Sequence, residues 1–230
     1  SLAATASLVP LVASAAAVRA LGGSRRDAAN LLTSTLPRLT LELGGVQLNV
    51  VGEEHLRSHR PAVFIWNHRN IFDAQIVGRL VARDFGAVAK KELANSPLFR
   101  IASWFMPMAF VDRENHAAAL EAIRPATQML QDGWSMVIAP EGTRARSGIG
   151  HFKKGAFRMA MEAKVPIVPI VVRNADEIGG RNARIPRPAL VDVAVLPPVS
   201  MKGWTRANLT DRIAAVRQRF VDTLAHWPEG

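Results

Sequence analysis

The chain has 230 residues, 49% of them hydrophobic, and carries 29 Lys and Arg against 19 Asp and Glu, a formal charge of +10. That length suits one large domain, or a domain with an appendage. The absence of cysteine excludes disulfides, thiolate zinc sites and a cysteine nucleophile. So strong a positive balance points to nucleic acid, an anionic membrane surface or a phosphorylated substrate. There is no Lys/Arg run of nucleic-acid type, no tyrosine and no nucleic-acid fold signature, so membrane and phosphate are the expected partners, not nucleic acid.

Residues 1–21 are almost wholly apolar, with Arg19 the only charge. Roughly 20 such residues match a bilayer span, but Ser7, Pro10, Ser14 and the small alanines make the span weak. The segment also lacks the basic start of a signal peptide. Gly22-Gly23-Ser24 and Arg25-Arg26 follow, and a second helical pattern runs from about Asp27 to Leu36. It is capped by Ser24 or Asp27 and stopped by Pro37. Residues 1–38 therefore read as an apolar two-helix hairpin docked at a membrane, its arginines at lipid headgroups; the alternative is a hairpin packed on the core.

Residues 39–230 read as a single α/β domain. Leu39, Leu41 and Leu43, then Val46, Leu48 and Val50, alternate with other residues around Gly44-Gly45, which is a β-hairpin signal. The apolar run from Pro61 to Trp66 predicts a buried strand, and a helix is expected from Phe72 to Arg83. Further strands are expected at 86–90, 108–111, 134–139, 165–172 and 189–196. Helices are expected at 93–106, 114–131 with a break or kink at Pro125, 154–164 and 208–227. An Arg-, Gly- and Pro-rich loop fills 173–188. Strands alternating with helices predict an α/β fold whose mixed, largely parallel sheet is covered on both faces.

Ligands in such sheets gather at strand ends, and four ends here carry chemistry. The central strand runs into Asn67-His68-Arg69-Asn70. His68 with Asp73 five residues on is two thirds of a hydrolase triad: the carboxylate fixes one ring nitrogen and leaves the other as a base. Taken alone, an Asp at a helix start is commonly just a cap. Lys90 and Lys91 end one strand, Asp112 and Arg113 another, and Glu141-Gly142-Thr143-Arg144 follow a third, with Lys153 and Lys154 beyond. Arginines suit a tetrahedral phosphate because a guanidinium donates in pairs.

Asn67-His68 with Asp73, Phe110-Val-Asp-Arg113, Pro140-Glu-Gly-Thr-Arg144 and Val165-Pro-Ile-Val-Pro-Ile170 stand in the order and spacing of four blocks of the glycerolipid acyltransferases. Over residues 40–200 the chain resembles that family, and within it the 1-acylglycerol-3-phosphate acyltransferases. It departs from the usual pattern at Ala139, where Phe is common, and at Asn70, where a small residue such as Ser is common. The first two helices also resemble the membrane-docking hairpin of some bacterial members.

The resemblance implies that His68, oriented by Asp73, removes a proton from the hydroxyl of lysophosphatidic acid. The oxygen then attacks an acyl thioester of coenzyme A or acyl carrier protein, with no cofactor and no metal. Lys90, Arg113 and Arg144 would hold the phosphate. Glu141, in the Gly142-Thr143 turn, would contact glycerol hydroxyls or brace an arginine, and backbone donors near the His68 turn would serve the oxyanion. The expected location is the cytoplasmic face of the cell membrane, associated but not necessarily spanning. The rival readings are another lysophospholipid or glycolipid acceptor, a non-catalytic module for anionic lipid, and a metal hydrolase using His55 and His59. The last lacks the Glu that a His-Glu-x-x-His site needs, since Leu56 stands there.

Overall fold

Residue patterning across the sheet sets the two layers of the core. The computed structural model describes residues 2–111, 116–145, 147–180, 183 and 185–228. Helices α1 (Leu2–Ala20) and α2 (Arg25–Leu43) lead into β1 (Val46–Val51), α3 (His55–Ser58), β2 (Val63–Trp66) and α4 (Asp73–Val81). Then come β3 (Phe85–Lys90), a 3-10 turn at Lys91–Asn95, α5 (Pro97–Phe105), β4 (Met108–Val111), α6 (His116–Gln131) and β5 (Ser135–Ile138). The chain closes with α7 (Gly155–Ala163), β6 (Ile167–Val172), a 3-10 turn at Ala175–Glu177, β7 (Ala189–Val195) and α8 (Leu209–Ala225).

Among the described residues the strands form one sheet in the order β1-β7-β6-β2-β5-β3-β4. Strands β6, β2, β5, β3 and β4 run parallel; β7 is antiparallel to β6, and β1 parallel to β7. The sheet is thus mixed and largely parallel, as the alternating pattern predicts. Central β2 is buried on both sides: Phe64 and Trp66 face the cluster holding Ile76, Val77 and Leu56 from α4 and α3. Val63 and Ile65 face Leu130, Phe157 and Phe220 from α6, α7 and α8. A strand buried on both faces reads as a continuous apolar run, which is why this one is so legible. The parallel strands all deliver their C-terminal ends to one edge.

Two local expectations fail, for one reason. No β-hairpin forms over 39–50; α2 continues through Pro37 to Leu43, and β1 instead pairs with β7, Val46 opposite Ala189. An interior proline costs a helix roughly 3 kcal/mol. Here it is buried against Gly78 of α4, where a Cβ would sit only 2.9 Å from the proline ring. Burial of Ala28, Ala29, Leu32, Thr33 and Leu41 along the same helix offsets that cost. The boundary expected at residue 38 accordingly falls inside α2. Gly44-Gly45 ends the helix, Gly45 taking a φ of +70° that favours glycine. Helix α6 likewise runs unbroken across Pro125, its Ala126 and Leu130 packed in the core.

Ser24 caps α2 in a reciprocal box with Asp27. The arginines beside it have partners on the domain. Arg25 donates to the Ser103 carbonyl; Arg26 donates to the Asp132 carbonyl, pairs with Asp84 and lies 4.5 Å from the Trp134 ring centroid. Asp84, Ser103 and Asp132 precede β3, β4 and β5, so the α1–α2 turn sits at the opposite edge of the sheet from the strand C-termini. Leu11 and Ala15 of α1, Ala28 and Leu32 of α2, and Phe105 of α5 share a third apolar cluster. No helix among the described residues is long and apolar enough to cross a membrane.

Candidate active site

Strand β2 ends at Trp66, and the turn that follows is held from three sides. Asn67 is buried, and its side-chain amide takes up both backbone groups of Val172, donating to the carbonyl and accepting from the N–H at 2.8 Å each. It continues the β2–β6 pairing after the backbone has turned away. His68 emerges at the edge, with Nδ1 3.0 Å from Asp73 Oδ2. Asp73, at the first turn of α4, is 0% exposed, where the helix dipole favours a carboxylate. The same Oδ2 accepts the backbone N–H groups of Arg69 and Asn70. The pair anticipated from spacing is therefore formed, and it engages Nδ1 of the ring.

Glu141 supplies the second side. Its Oε1 accepts the His68 N–H at 2.8 Å and its Oε2 accepts the Gly150 N–H at 2.7 Å. Each oxygen accepts a backbone N–H, so Glu141 braces the histidine turn. A Cβ at Gly150 would lie 2.5 Å from Oε2, so a side chain there would displace the Glu141 carboxylate. Burial pushes the Glu141 carboxyl above its ordinary value; the two N–H bonds and the nearby His68 and Arg69 oppose that shift.

A native value raised in this way means that protonation favours the folded state. That contribution is complete below the unfolded value, about 4.3, and is lost as pH rises through the native one. Glu141→Gln removes this titration while keeping the shape of the side chain, so the variant's stability lacks that pH dependence. The gap in melting temperature between wild type and this variant is expected to narrow as pH rises from about 4 toward neutrality. Calorimetry across that range checks it, and a widening gap would contradict the sign.

Asn70, buried at 0% exposure, forms the third side. Its Nδ2 donates to the Ala175 and Gly179 carbonyls and its Oδ1 accepts the Phe72 N–H. The residue that departs from the usual small side chain thus fastens the 173–188 loop and does not face an acceptor. Arg69 adds an ion pair to Asp176 at 2.8 Å and a bond to the Gly148 carbonyl.

The N–H groups of His68, Arg69 and Asn70 all donate to carboxylates. Thr143 is exposed and Gly142 takes a φ of +70°. Arg144 is half-buried, next to Ala145, whose N–H donates to the His68 carbonyl. Lys90 ends β3 at the same edge, paired with Glu92 at 3.1 Å. Arg113, with Asp112, lies outside the described residues. His55 begins α3 but His59 falls past its end in extended backbone, so the helical juxtaposition a metal hydrolase needs is not formed.

This edge, with a histidine–carboxylate pair inside a parallel α/β sheet, coincides with the stretch that a family model recognises. The model, described as Acyltransferase, matches residues 47–173, more than half of the chain, and the chain belongs to that family. It is 30% identical over 187 residues to the 1-acyl-sn-glycerol-3-phosphate acyltransferase of Saccharomyces cerevisiae, covering 78% of this chain and 60% of the relative. It is 32% identical over 182 residues to the alpha form in Mus musculus, covering 78% and 64%. The chain thus spans about three fifths of the length of these relatives. The crystal structure of the 1-acyl-sn-glycerophosphate acyltransferase from Thermotoga maritima shares the fold, with a TM-score of 0.73, 22% identity and coverage of 90% of this chain and 85% of the other.

Proposed function

We propose that the chain transfers an acyl group from a thioester, on coenzyme A or acyl carrier protein, to the free hydroxyl of lysophosphatidic acid, giving phosphatidic acid. The observation that carries this reading is the 3.0 Å His68–Asp73 pair at the C-terminal edge of β2, within the region matched by the family model. His68 Nε2 accepts the hydroxyl proton as the oxygen bonds to the thioester carbon. The C–S bond then breaks, and the leaving sulfur takes the proton back from the imidazolium. Asp73, with Glu141 behind the turn, favours the positive charge that the ring carries between these steps. No protein nucleophile and no cofactor enters this scheme.

Three of the turn's amides being occupied, side-chain cations are left to meet the developing oxyanion and the acceptor's phosphate. Lys90 and Arg144 lie on the correct edge, and Arg113 comes two residues after the end of β4 in sequence. The matching stretch of the relatives, named for 1-acylglycerol phosphate, supports a phosphate-bearing acceptor over a glycolipid. Acyl transfer from labelled acyl-coenzyme A to a panel of lysolipids tests the assignment. Lysophosphatidic acid is expected to be acylated fastest; preference for a phosphate-free acceptor would overturn it.

The same reading places the protein at an anionic membrane, on the cytoplasmic face. An acyl chain drawn from lipid into water loses about 0.8 kcal/mol per methylene, so catalysis at the interface avoids that loss. Helix α1 supports it: Pro10, Ala13, Ala16, Ala17 and Ala20 are exposed and apolar, and Leu21 is 88% exposed. Because α1 returns antiparallel along α2, its first half runs toward the edge that bears His68. Ala13→Glu with Ala17→Glu is expected to weaken sedimentation with phosphatidylglycerol-containing vesicles; undiminished binding would count against α1 as the docking element.

A further inference from the structure

The C-terminal helix reaches the histidine turn through one peptide unit. Arg217 of α8 donates from Nη2 to the Ile149 carbonyl and from Nε to the Gly150 carbonyl, at 2.8 Å for the latter. The Ile149 carbonyl and the Gly150 N–H belong to the same planar peptide and point in opposite directions. Arg217 therefore grips one end of that plane while Glu141 Oε2 grips the other at 2.7 Å. The other oxygen of Glu141 holds the His68 N–H at 2.8 Å, and His68 in turn meets Asp73.

A guanidinium at one end of a peptide and a carboxylate at the other polarise it in the same sense, so each strengthens the other's bond. The arrangement is an ion pair acting through a backbone group. Arg69 fixes the neighbouring Gly148 carbonyl, and buried Phe152, 5.2 Å from the Phe220 ring, seats the segment on α8. Ile149 itself is buried in the same core, and Arg217 and Glu141 hold the two ends of its peptide with Gly150. Were it to turn over, Glu141 would lose its second donor and meet a carbonyl. The His68 amide would then be held by a carboxylate no longer fixed at its far oxygen.

We propose that Arg217, which lies outside the family-matched residues 47–173, is a positioning residue for His68. It orients the 149–150 peptide so that Glu141 keeps the histidine turn in its working geometry. The inference rests on His68 as the base of the proposed transfer. Arg217 bonds to the backbone carbonyls of Ile149 and Gly150, so its effect falls on turnover, not on acceptor binding. It also lines a cavity of about 360 Å³ with His151, Lys154 and Gln218, so shortening its side chain opens no hole in the packed core.

The test compares Arg217→Gln and Arg217→Lys with wild type and His68→Ala in the full chain. It reads kcat, KM for lysophosphatidic acid, melting temperature and the amide resonances of His68 and Gly150. Arg217→Gln is expected to lower kcat about tenfold with KM unchanged, and to move both amide resonances. Arg217→Lys, keeping the charge, is expected to recover part of kcat. Unmoved His68 and Gly150 resonances, or a kcat that Arg217→Gln leaves intact, would overturn the proposal. Activity in His68→Ala equal to wild type would instead remove the base itself, and the amide resonances would still decide whether Arg217 orients the turn.

Discussion

His68→Ala is expected to lower kcat for acyl transfer by about 10²–10⁴-fold, the usual contribution of a positioned general base, while leaving the fold intact. The ring contributes little to packing: it sits at the edge, partly exposed, its polar partner being Asp73 and its ring neighbour Trp66 at 6.1 Å. Removing it leaves Asp73 with the Arg69 and Asn70 N–H groups, so the turn keeps its main ties. KM for the acceptor is expected to change little, because the phosphate is assigned to cations elsewhere. Steady-state kinetics beside a thermal melt checks both halves. A variant that turns over at the wild-type rate would show that the imidazole takes no part.

Asp73→Asn is expected to lower kcat by a comparable 10²–10⁴-fold and to cost about 1–3 kcal/mol of stability. One carboxylate oxygen accepts three donors here, and the other is buried without a partner among the described residues. If the asparagine oxygen takes the first position, its NH₂ occupies the second with no acceptor. If it flips, the NH₂ confronts three N–H groups. In either pose the negative charge beside the ring is gone, so the imidazolium formed during transfer loses its stabilising partner. Asp73→Asn is thus a combined kinetic and stability lesion, whereas His68→Ala is mainly kinetic. A melting temperature unchanged in Asp73→Asn would contradict the three-donor arrangement.

What the sequence makes legible follows from the range of the forces involved. Strand β2, the His68–Asp73 spacing and the order of the strand ends depend on neighbours a few residues apart, or on an apolar run that only a doubly covered strand requires. At 39–43 the same local reading fails. The leucines alternate as in a strand, yet only Leu41 is buried while Leu43 is 72% exposed; packing of α2 on α4 overrides both the alternation and the proline.

The braces of the site are long-range and therefore silent in the pattern. Asn67 meets Val172 across 105 residues, Asn70 meets Gly179 across 109, and Arg217 meets Ile149 across 68. Each looks like an ordinary polar residue until the chain folds. One signal was available for the first: an asparagine placed directly after a fully apolar strand has few ways to satisfy its amide except by bonding backbone. Glu141 shows the opposite case. Its position in the Pro140-Glu-Gly-Thr-Arg144 block is plain in the sequence, but its task, holding two N–H groups behind the histidine, appears only when the 148–150 segment closes on it.

The most direct measurement follows thiol release from an acyl thioester together with phosphatidic acid formation, in vesicles with and without lysophosphatidic acid, for wild type and His68→Ala. A base that activates the lipid hydroxyl for direct attack predicts thiol and phosphatidic acid in equal amounts, dependent on the acceptor and lost with the imidazole. Thiol released at the same rate without acceptor, or phosphatidic acid formed equally by His68→Ala, would contradict it.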